Sequence, residues 1–261
     1  MQGNFVVKTS KLGVIIDGKQ VLSNIDFEIK PKENWVIVGP NGSGKTTLLK
    51  TICGYQGISR GTVAVLGQNF GETDLRELRT QIGMISSYLN DLILLDDNVL
   101  DIVVSGALGQ TRLWSVPNYE TVKRAKSLLK LLGCSRYEDG ILRELSQGER
   151  QKVIIARAMM SASDLLVLDE PCAGLDLKSR ESFLKSFSKV GETHAKTVIY
   201  TTHRIDEIPS CFTHVMLLGY GHVVAKGKLR DTLTAKNMSR CFDVALEIRR
   251  WRGRYYAVVK N

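Results

Sequence analysis

Gly39-Pro40-Asn41-Gly42-Ser43-Gly44-Lys45-Thr46-Thr47 decides the reading of this chain. The stretch fits G-x-x-x-x-G-K-[ST], a phosphate-binding loop. Asn34-Trp35-Val36-Ile37-Val38, just before it, reads as a buried strand, and residues 45–53 read as a helix that Gly54 stops. Glycines let backbone N–H groups wrap an anion without side-chain clash, and the helix N-terminus adds favourable partial charge. Lys45 is placed to reach β- and γ-phosphates, and the Thr46 hydroxyl to take a Mg²⁺ position. A dinucleotide-binding loop would need G-x-G-x-x-G; Gly42, Gly44 and then Thr47 break that pattern.

Bulk composition sets the frame for this loop. The chain has 261 residues, 43% hydrophobic and 24% charged, enough for a sizeable core. A formal net charge of +9 allows a nucleotide, an anionic membrane face or nucleic acid as partner, and equally allows a merely solubilising surface. Cys53, Cys134, Cys172, Cys211 and Cys241 form no C-x-x-C pair, so neither a disulfide framework nor a zinc site is expected, and the chain reads as cytosolic and reduced. No run of 18 apolar residues occurs, so no membrane span is expected. Met1-Gln2-Gly3-Asn4-Phe5 lacks the basic-then-apolar order of a secretion signal.

Outward from the loop, residues 5–30 predict a β-hairpin region. Residues 5–9, 12–16 and 25–29 are β-rich, Asp17-Gly18 is a turn dipeptide and Pro31 ends the last strand. Further strands are expected at 62–66 and 81–85, with a short helix or turn at 74–79 between them. Residues 88–160 change period. Val122, Ala125, Leu128, Leu129 and Leu132 mark one apolar helical face ending at Gly133, and 99–106 also reads as a helix. Ser146 reads as an N-cap with Glu149 as its capping-box partner. The segment 88–160 is thus expected to be a mainly helical insert. Strands return at 165–168, 197–201, 215–218 and 222–225, with a helix at 178–190. Residues 228–261 form a tail of unassigned role.

A second element sharpens the chemistry. Leu165-Leu166-Val167-Leu168 delivers Asp169-Glu170 at a strand's C-terminal end, where ligands sit in open α/β sheets. Asp169 would hold Mg²⁺, and Glu170 would polarise a water for attack on the γ-phosphate.

Leu145-Ser146-Gln147-Gly148-Glu149 lies between these two elements, and here the sequence resembles the nucleotide-binding domain of ABC transporters, whose signature is close to L-S-G-G-Q. The resemblance runs from Phe5 to about Lys228. It implies an α/β P-loop NTPase (ABC ATPase) fold: one domain over 1–261, with a parallel-sheet core, an N-terminal antiparallel β region and a helical subdomain at 88–160. It implies binding of ATP and Mg²⁺ by Gly39, Pro40, Asn41, Gly42, Ser43, Gly44, Lys45, Thr46 and Thr47. It further implies that Ser146 and Gly148 of one subunit bind the γ-phosphate held by another. Gln147 stands for the usual Gly and Glu149 for the usual Gln. Ala173-Gly174-Leu175-Asp176 resembles the D-loop that crosses the dimer interface, and His203 the histidine that contacts the γ-phosphate and orients the catalytic Glu170.

Two positions depart from the family. Its Mg²⁺-touching Gln, after the strand at 82–85, corresponds here to Ser87, which could still ligate the metal by its hydroxyl or through water. Its adenine-stacking aromatic corresponds to Ile16, an apolar but non-aromatic contact. The function expected is an ATP-hydrolysing subunit that pairs with a second copy and energises a membrane permease carried on a separate chain. Residues 99–106 resemble the family's importer subunits, especially those for iron chelates and related metal or oxyanion cargo, and residues 82–87 resemble the molybdate-associated ATP-binding proteins. The subunit would be cytoplasmic and peripheral on the inner membrane face. The alternative is a soluble ABC ATPase acting in iron–sulfur assembly, on ribosomes or on nucleic acid. A nucleotide-binding regulator with little hydrolysis is disfavoured by Glu170 and His203. Nucleic acid is not the expected partner, because Arg249-Arg250-Trp251-Arg252-Gly253-Arg254-Tyr255-Tyr256 is the lone basic-aromatic run.

Overall fold

The computed structural model describes residues 5–86, 93, 95–108, 112, 113, 115–161, 165–193 and 197–260. Alternation of buried and exposed residues makes the N-terminal region a hairpin of two long strands, β1 (Val7–Ile16) and β2 (Lys19–Ile29), joined at the Asp17-Gly18 turn. The separate β-rich pieces 5–9 and 12–16 are one strand. Its register shifts between Thr9 and Leu12, where Lys11 takes φ 48° and its N–H donates to Asp26 Oδ1 at 2.8 Å. The irregularity is a bulge, not a turn.

Next come β3 (Trp35–Val38), α1 (Lys45–Ile52), β4 (Arg60–Val65), β5 (Gln68–Asn69), α2 (Leu75–Gln81) and β6 (Ile82–Ile85). Asp74 caps α2 by accepting from the Arg76 N–H. Strands β2, β1, β4 and β5 form an antiparallel sheet. Helices α3 (Val99–Ser105), α4 (Tyr119–Leu131) and α5 (Gln147–Met159) follow. Asn98, Asn118 and Ser146 cap them with side-chain oxygens, each satisfying orphan N–H groups of the first turn. Gly133 ends the α4 region at φ 72°.

The chain then lays down β7 (Leu165–Asp169), α6 (Leu177–Thr193), β8 (Thr197–Thr202), β9 (His214–Gly219) and β10 (His222–Lys228). The main sheet has the order β10-β9-β3-β8-β7-β6. From β9 to β6 the pairs are parallel, and β10 closes the edge antiparallel to β9. The tail, unassigned from sequence, folds into α7 (Leu229–Thr232), α8 (Ala235–Phe242) and the hairpin β11 (Leu246–Trp251)–β12 (Arg254–Val259). The period-2 pattern of its last strands is legible only weakly because the adjacent Arg249 and Arg250 fall on opposite faces of β11 and break the alternation.

The main sheet is buried on both faces, as a parallel sheet must be. Trp35 and Ile37 face a core shared with α1 and the antiparallel sheet. Val36 and Val38 face a second core, which takes in buried residues of α3, α4, α5, α6 and α8. Phe183 of α6 lies in that second core, fully buried, its ring 5.8 Å from that of Phe187. Removing its ring by Phe183→Ala is expected to cost about 3–5 kcal/mol of unfolding free energy. Urea denaturation measures this; a loss below about 1 kcal/mol would mean that α6 is not clamped to the sheet as described.

Candidate functional site

The loop after β3 leaves no room for side chains at two of its glycines. A Cβ on Gly39 would fall 2.0 Å from the Leu218 carbonyl oxygen. Gly44, at φ 100°, opens α1 in the left-handed region, and a Cβ there would meet Leu22 Cδ2 at 2.7 Å. The backbone therefore wraps tightly and presents its N–H groups at the helix N-terminus. Lys45 is only 4% exposed, and its Nζ donates to the carbonyls of Gly39 (2.9 Å) and Pro40 (3.0 Å). Ser43 Oγ is buried with no hydrogen-bond partner among the described residues. An uncompensated hydroxyl inside a glycine cradle fits an anion with acceptor oxygens. The cavity above the loop has a volume of about 340 Å³ and is lined by Val21, Glu170 and the loop positions Asn41, Gly42, Gly44, Lys45, Thr46 and Thr47.

The acidic side of this cavity is built by strand register. Asp169 pairs with Thr201 across β7 and β8. Thr201 Oγ1 donates to Asp169 Oδ1 at 2.8 Å and accepts from the Glu170 N–H at 3.0 Å. Burial pushes the Asp169 carboxyl up, against hydrogen bonds from Thr201 and Thr46 that favour its charged form. Thr46 and Asp169 thus already touch, giving the hydroxyl-plus-carboxylate oxygen set that suits Mg²⁺. Glu170 turns out of the sheet at φ 45°. One of its oxygens lies 3.1 Å from Lys45 Nζ and the other 3.3 Å from His203 Nδ1. A smaller cavity beside Glu170, about 140 Å³, is lined by the 172–175 loop, Arg180, residues 202–204 and Glu207.

Ser146 and Gly148 stand elsewhere and do not line the cavity above their own phosphate loop. The expected capping box is present at the start of α5. Ser146 Oγ donates to Glu149 Oε2 at 2.7 Å and the Ser146 N–H to the same oxygen at 3.0 Å. A Tyr137 hydroxyl hydrogen bond, with Ser146 and Arg136 adding to it against a smaller opposing effect of burial, holds the Glu149 carboxyl down at about 2. Gly148 packs on Ser179, where a Cβ would sit 2.6 Å from the Ser179 Cβ. Gln147, in place of the family's glycine, places its amide against Gly174: a Cβ there would lie 2.7 Å from Gln147 Nε2.

Ile16 does not line the phosphate cavity; it ends β1 opposite Lys19 and packs, half buried, on the core between the sheets. Val21 reaches the cavity instead, because Leu22 points into the core and its neighbour in the strand must face the other way. Ser87 lies outside the described residues. Thr201, which holds both carboxylates, could have been found from the strand ending that faces Asp169-Glu170.

Phosphate loop, carboxylate pair and histidine converge at the C-terminal edge of a parallel sheet, the arrangement of the P-loop NTPase fold. More closely, the chain belongs to the ABC transporter family, whose profile matches residues 22–173. It is 38% identical over 89% of both chains to the uncharacterized ABC transporter ATP-binding protein YlmA of Bacillus subtilis. It is 31% identical over 92% of both chains to the manganese transport system ATP-binding protein MntB of Halalkalibacterium halodurans. Among solved structures it resembles CbiO1 of Clostridium perfringens, part of the ABC transporter complex CbiONQ, with TM-score 0.78, 27% identity and coverage of 91% of this chain and 94% of that one. It also resembles a dimeric bacterial ABC transporter cassette, with TM-score 0.73, 27% identity and coverage of 86% and 99%. No helix among the described residues is long and apolar enough to cross a membrane.

The Glu149 network yields a pH prediction. Its carboxyl is lowered from 4.5 to about 2, so its contribution to stability is present above the unfolded value and is lost as pH falls toward the folded one. The melting-temperature advantage of the wild type over Glu149→Gln is expected to narrow steadily from about pH 5 to pH 3. A gap independent of pH would contradict the network.

Proposed function

We propose that this chain is an ATP-hydrolysing subunit that binds ATP and Mg²⁺, pairs with a second ABC ATPase subunit and energises a membrane permease carried on another chain, working as an importer component on the cytoplasmic membrane face. The observation that carries the reading is Glu170, held between Lys45 and His203 at the mouth of the phosphate loop. Gly39 to Thr47 cradle the phosphates, and Lys45 meets the β- and γ-oxygens. Phosphate in the loop competes for the Lys45 ammonium, drawing it from Glu170 and releasing that carboxylate to accept a proton from the attacking water. His203 keeps the other Glu170 oxygen oriented. Thr46 and Asp169 would hold Mg²⁺, with Ser87 as a further ligand candidate, and the ion there would supply charge neutralisation to the phosphates. Val21, with Ile16 behind it, offers an apolar edge to the nucleoside.

Ser146 and Gly148, displaced from the cavity of their own chain, suit a γ-phosphate presented by a partner subunit, with the α5 N-terminus supplying partial positive charge. Support for pairing and for a membrane partner comes from the dimeric cassette and from CbiO1. The importer reading draws on relatives named for manganese and methionine transport.

Lys45→Ala is expected to weaken ATP binding at least about tenfold by isothermal titration calorimetry, since each 1.4 kcal/mol lost is a factor of ten. An unchanged affinity removes the phosphate-loop assignment. Glu170→Gln is expected to keep ATP binding, lose about 10²–10⁴-fold in turnover and elute as a dimer with ATP and Mg²⁺. Used as bait in detergent-solubilised cells, the same variant should recover a multi-span membrane protein. Recovery of ribosomal, nucleic-acid or cluster-assembly proteins without one would favour the soluble alternative.

A further inference from the structure

The C-terminal hairpin does not merely cover the core. Between it and the segment that follows the His203 turn lies a cleft of about 630 Å³, within the range of small-molecule sites. Pro209, Phe212, Leu229 and Tyr255 give it an apolar body. Lys228 and Arg230 approach from the core side and Arg250 from the hairpin, where its guanidinium stands 5.7 Å from the Tyr255 ring centre. Among the described residues none of these three cations has a carboxylate within ion-pair distance, whereas neighbouring arginines do: Arg254 meets Glu181 at 2.7 Å and Arg249 meets Glu247 at 3.1 Å. Asp231 is the acidic residue in the lining. Three cations against one carboxylate leave an excess of two positive charges around an apolar cleft.

We propose that this cleft binds a small organic dianion with a flat apolar body, a phosphate monoester by chemical class, and that binding slows ATP turnover. The route to the site is a chain of ion pairs. Arg254 of β12 holds Glu181. The adjacent Arg180 lies 3.6 Å from Asp206 Oδ2 and 3.7 Å from Glu207 Oε1. Arg204, next to His203, reaches the same two carboxylates at 3.0 and 3.5 Å, and Thr202 Oγ1 donates to Glu207 at 2.8 Å. Ile208 and Pro209, which follow directly, line the cleft. A ligand there touches both the hairpin and the segment that directly follows the turn carrying His203. The conformation that forms the cleft is also the one in which Glu170 is tied to Lys45 and His203. A ligand that fits this conformation stabilises it against the rearrangement hydrolysis requires.

The binding half of this proposal is independent of the ATPase reading, and the turnover half rests on it. The test is calorimetric titration of phenyl phosphate into the full chain, with Mg²⁺ and an excess of a non-hydrolysable ATP analogue filling the phosphate loop. One site is expected. Arg250→Glu on the hairpin side, and Lys228→Gln on the core side, should each weaken binding, the former at least tenfold. Arg252→Glu, in the hairpin turn and outside the lining, should not change it, and benzyl alcohol should not bind. Phenyl phosphate should slow steady-state turnover at least twofold in the wild type and leave it unchanged in Arg254→Ala, which still binds the anion. Absence of binding, or binding indifferent to Arg250→Glu and Lys228→Gln, overturns the site. Equal slowing in Arg254→Ala overturns the relay. A failed isotherm for the ATP analogue itself would count against the ATPase reading and not against this cleft.

Discussion

The parallel register of β3, β8 and β7 is the constraint on which the site depends. Val38 pairs with Thr202 and Asp169 with Thr201, so three strand ends finish at one edge of the sheet. One strand end leads to the phosphate loop, the next to His203 and the third to Glu170. Parallel strands cannot be joined by tight turns, so these three groups come from positions far apart in the chain. A one-residue slip would exchange the residues that face the two cores, and the close packing on both sheet faces opposes it. The same packing energy that holds the sheet therefore holds the geometry of Lys45, Glu170 and His203.

Within that frame, Thr201 does the local work. Its side chain is fully buried, accepts the Glu170 N–H and donates to Asp169. One hydroxyl thus anchors two successive acidic residues at the strand end. Asp169 stays at the strand end near Thr46, while Glu170 bends outward at a positive φ that only a well-determined surrounding sustains. Lys45 is buried, and an unpaired ammonium there would be costly. Glu170 and two loop carbonyls satisfy it.

Much of this was legible because it is written locally. The glycine loop, the Asp169-Glu170 strand end and the Ser146–Glu149 capping box each lie within a few residues, and each has a backbone reason for its residue types. Long-range placement was less legible. Ile16 and Val21 are both apolar residues of the same hairpin, and sequence favoured Ile16 as the base contact. Val21 lines the phosphate cavity and Ile16 does not, because Leu22 beside Val21 points into the core. The split reading of β1 has another origin: a bulge at Lys11 resembles a break when only β-propensity is read. The tail stayed unassigned because its helices are short and its last strands carry arginines where a core pattern would show apolar residues.

Those arginines make sense once the tertiary contacts are known. Arg254 is matched to Glu181, Arg249 to Glu247, and Arg250 lies over Tyr255. A surface ion pair alone adds little stability, commonly about 0–1 kcal/mol. A connected series differs, because Arg180 is shared among Glu181, Asp206 and Glu207, and moving one partner alters the balance at the others. Burial would raise the Asp206 carboxyl, yet the hydrogen bond from Arg204 and the charges of Arg204 and Arg180 bring it below its ordinary value. The series runs from the hairpin to the turn beside His203, so the last elements of the chain are mechanically joined to the first chemistry of the site. The tail is thus held in two ways: Leu233, Met238, Cys241 and Leu246 pack into the core, while the shared charges tie its hairpin to the turn beside His203.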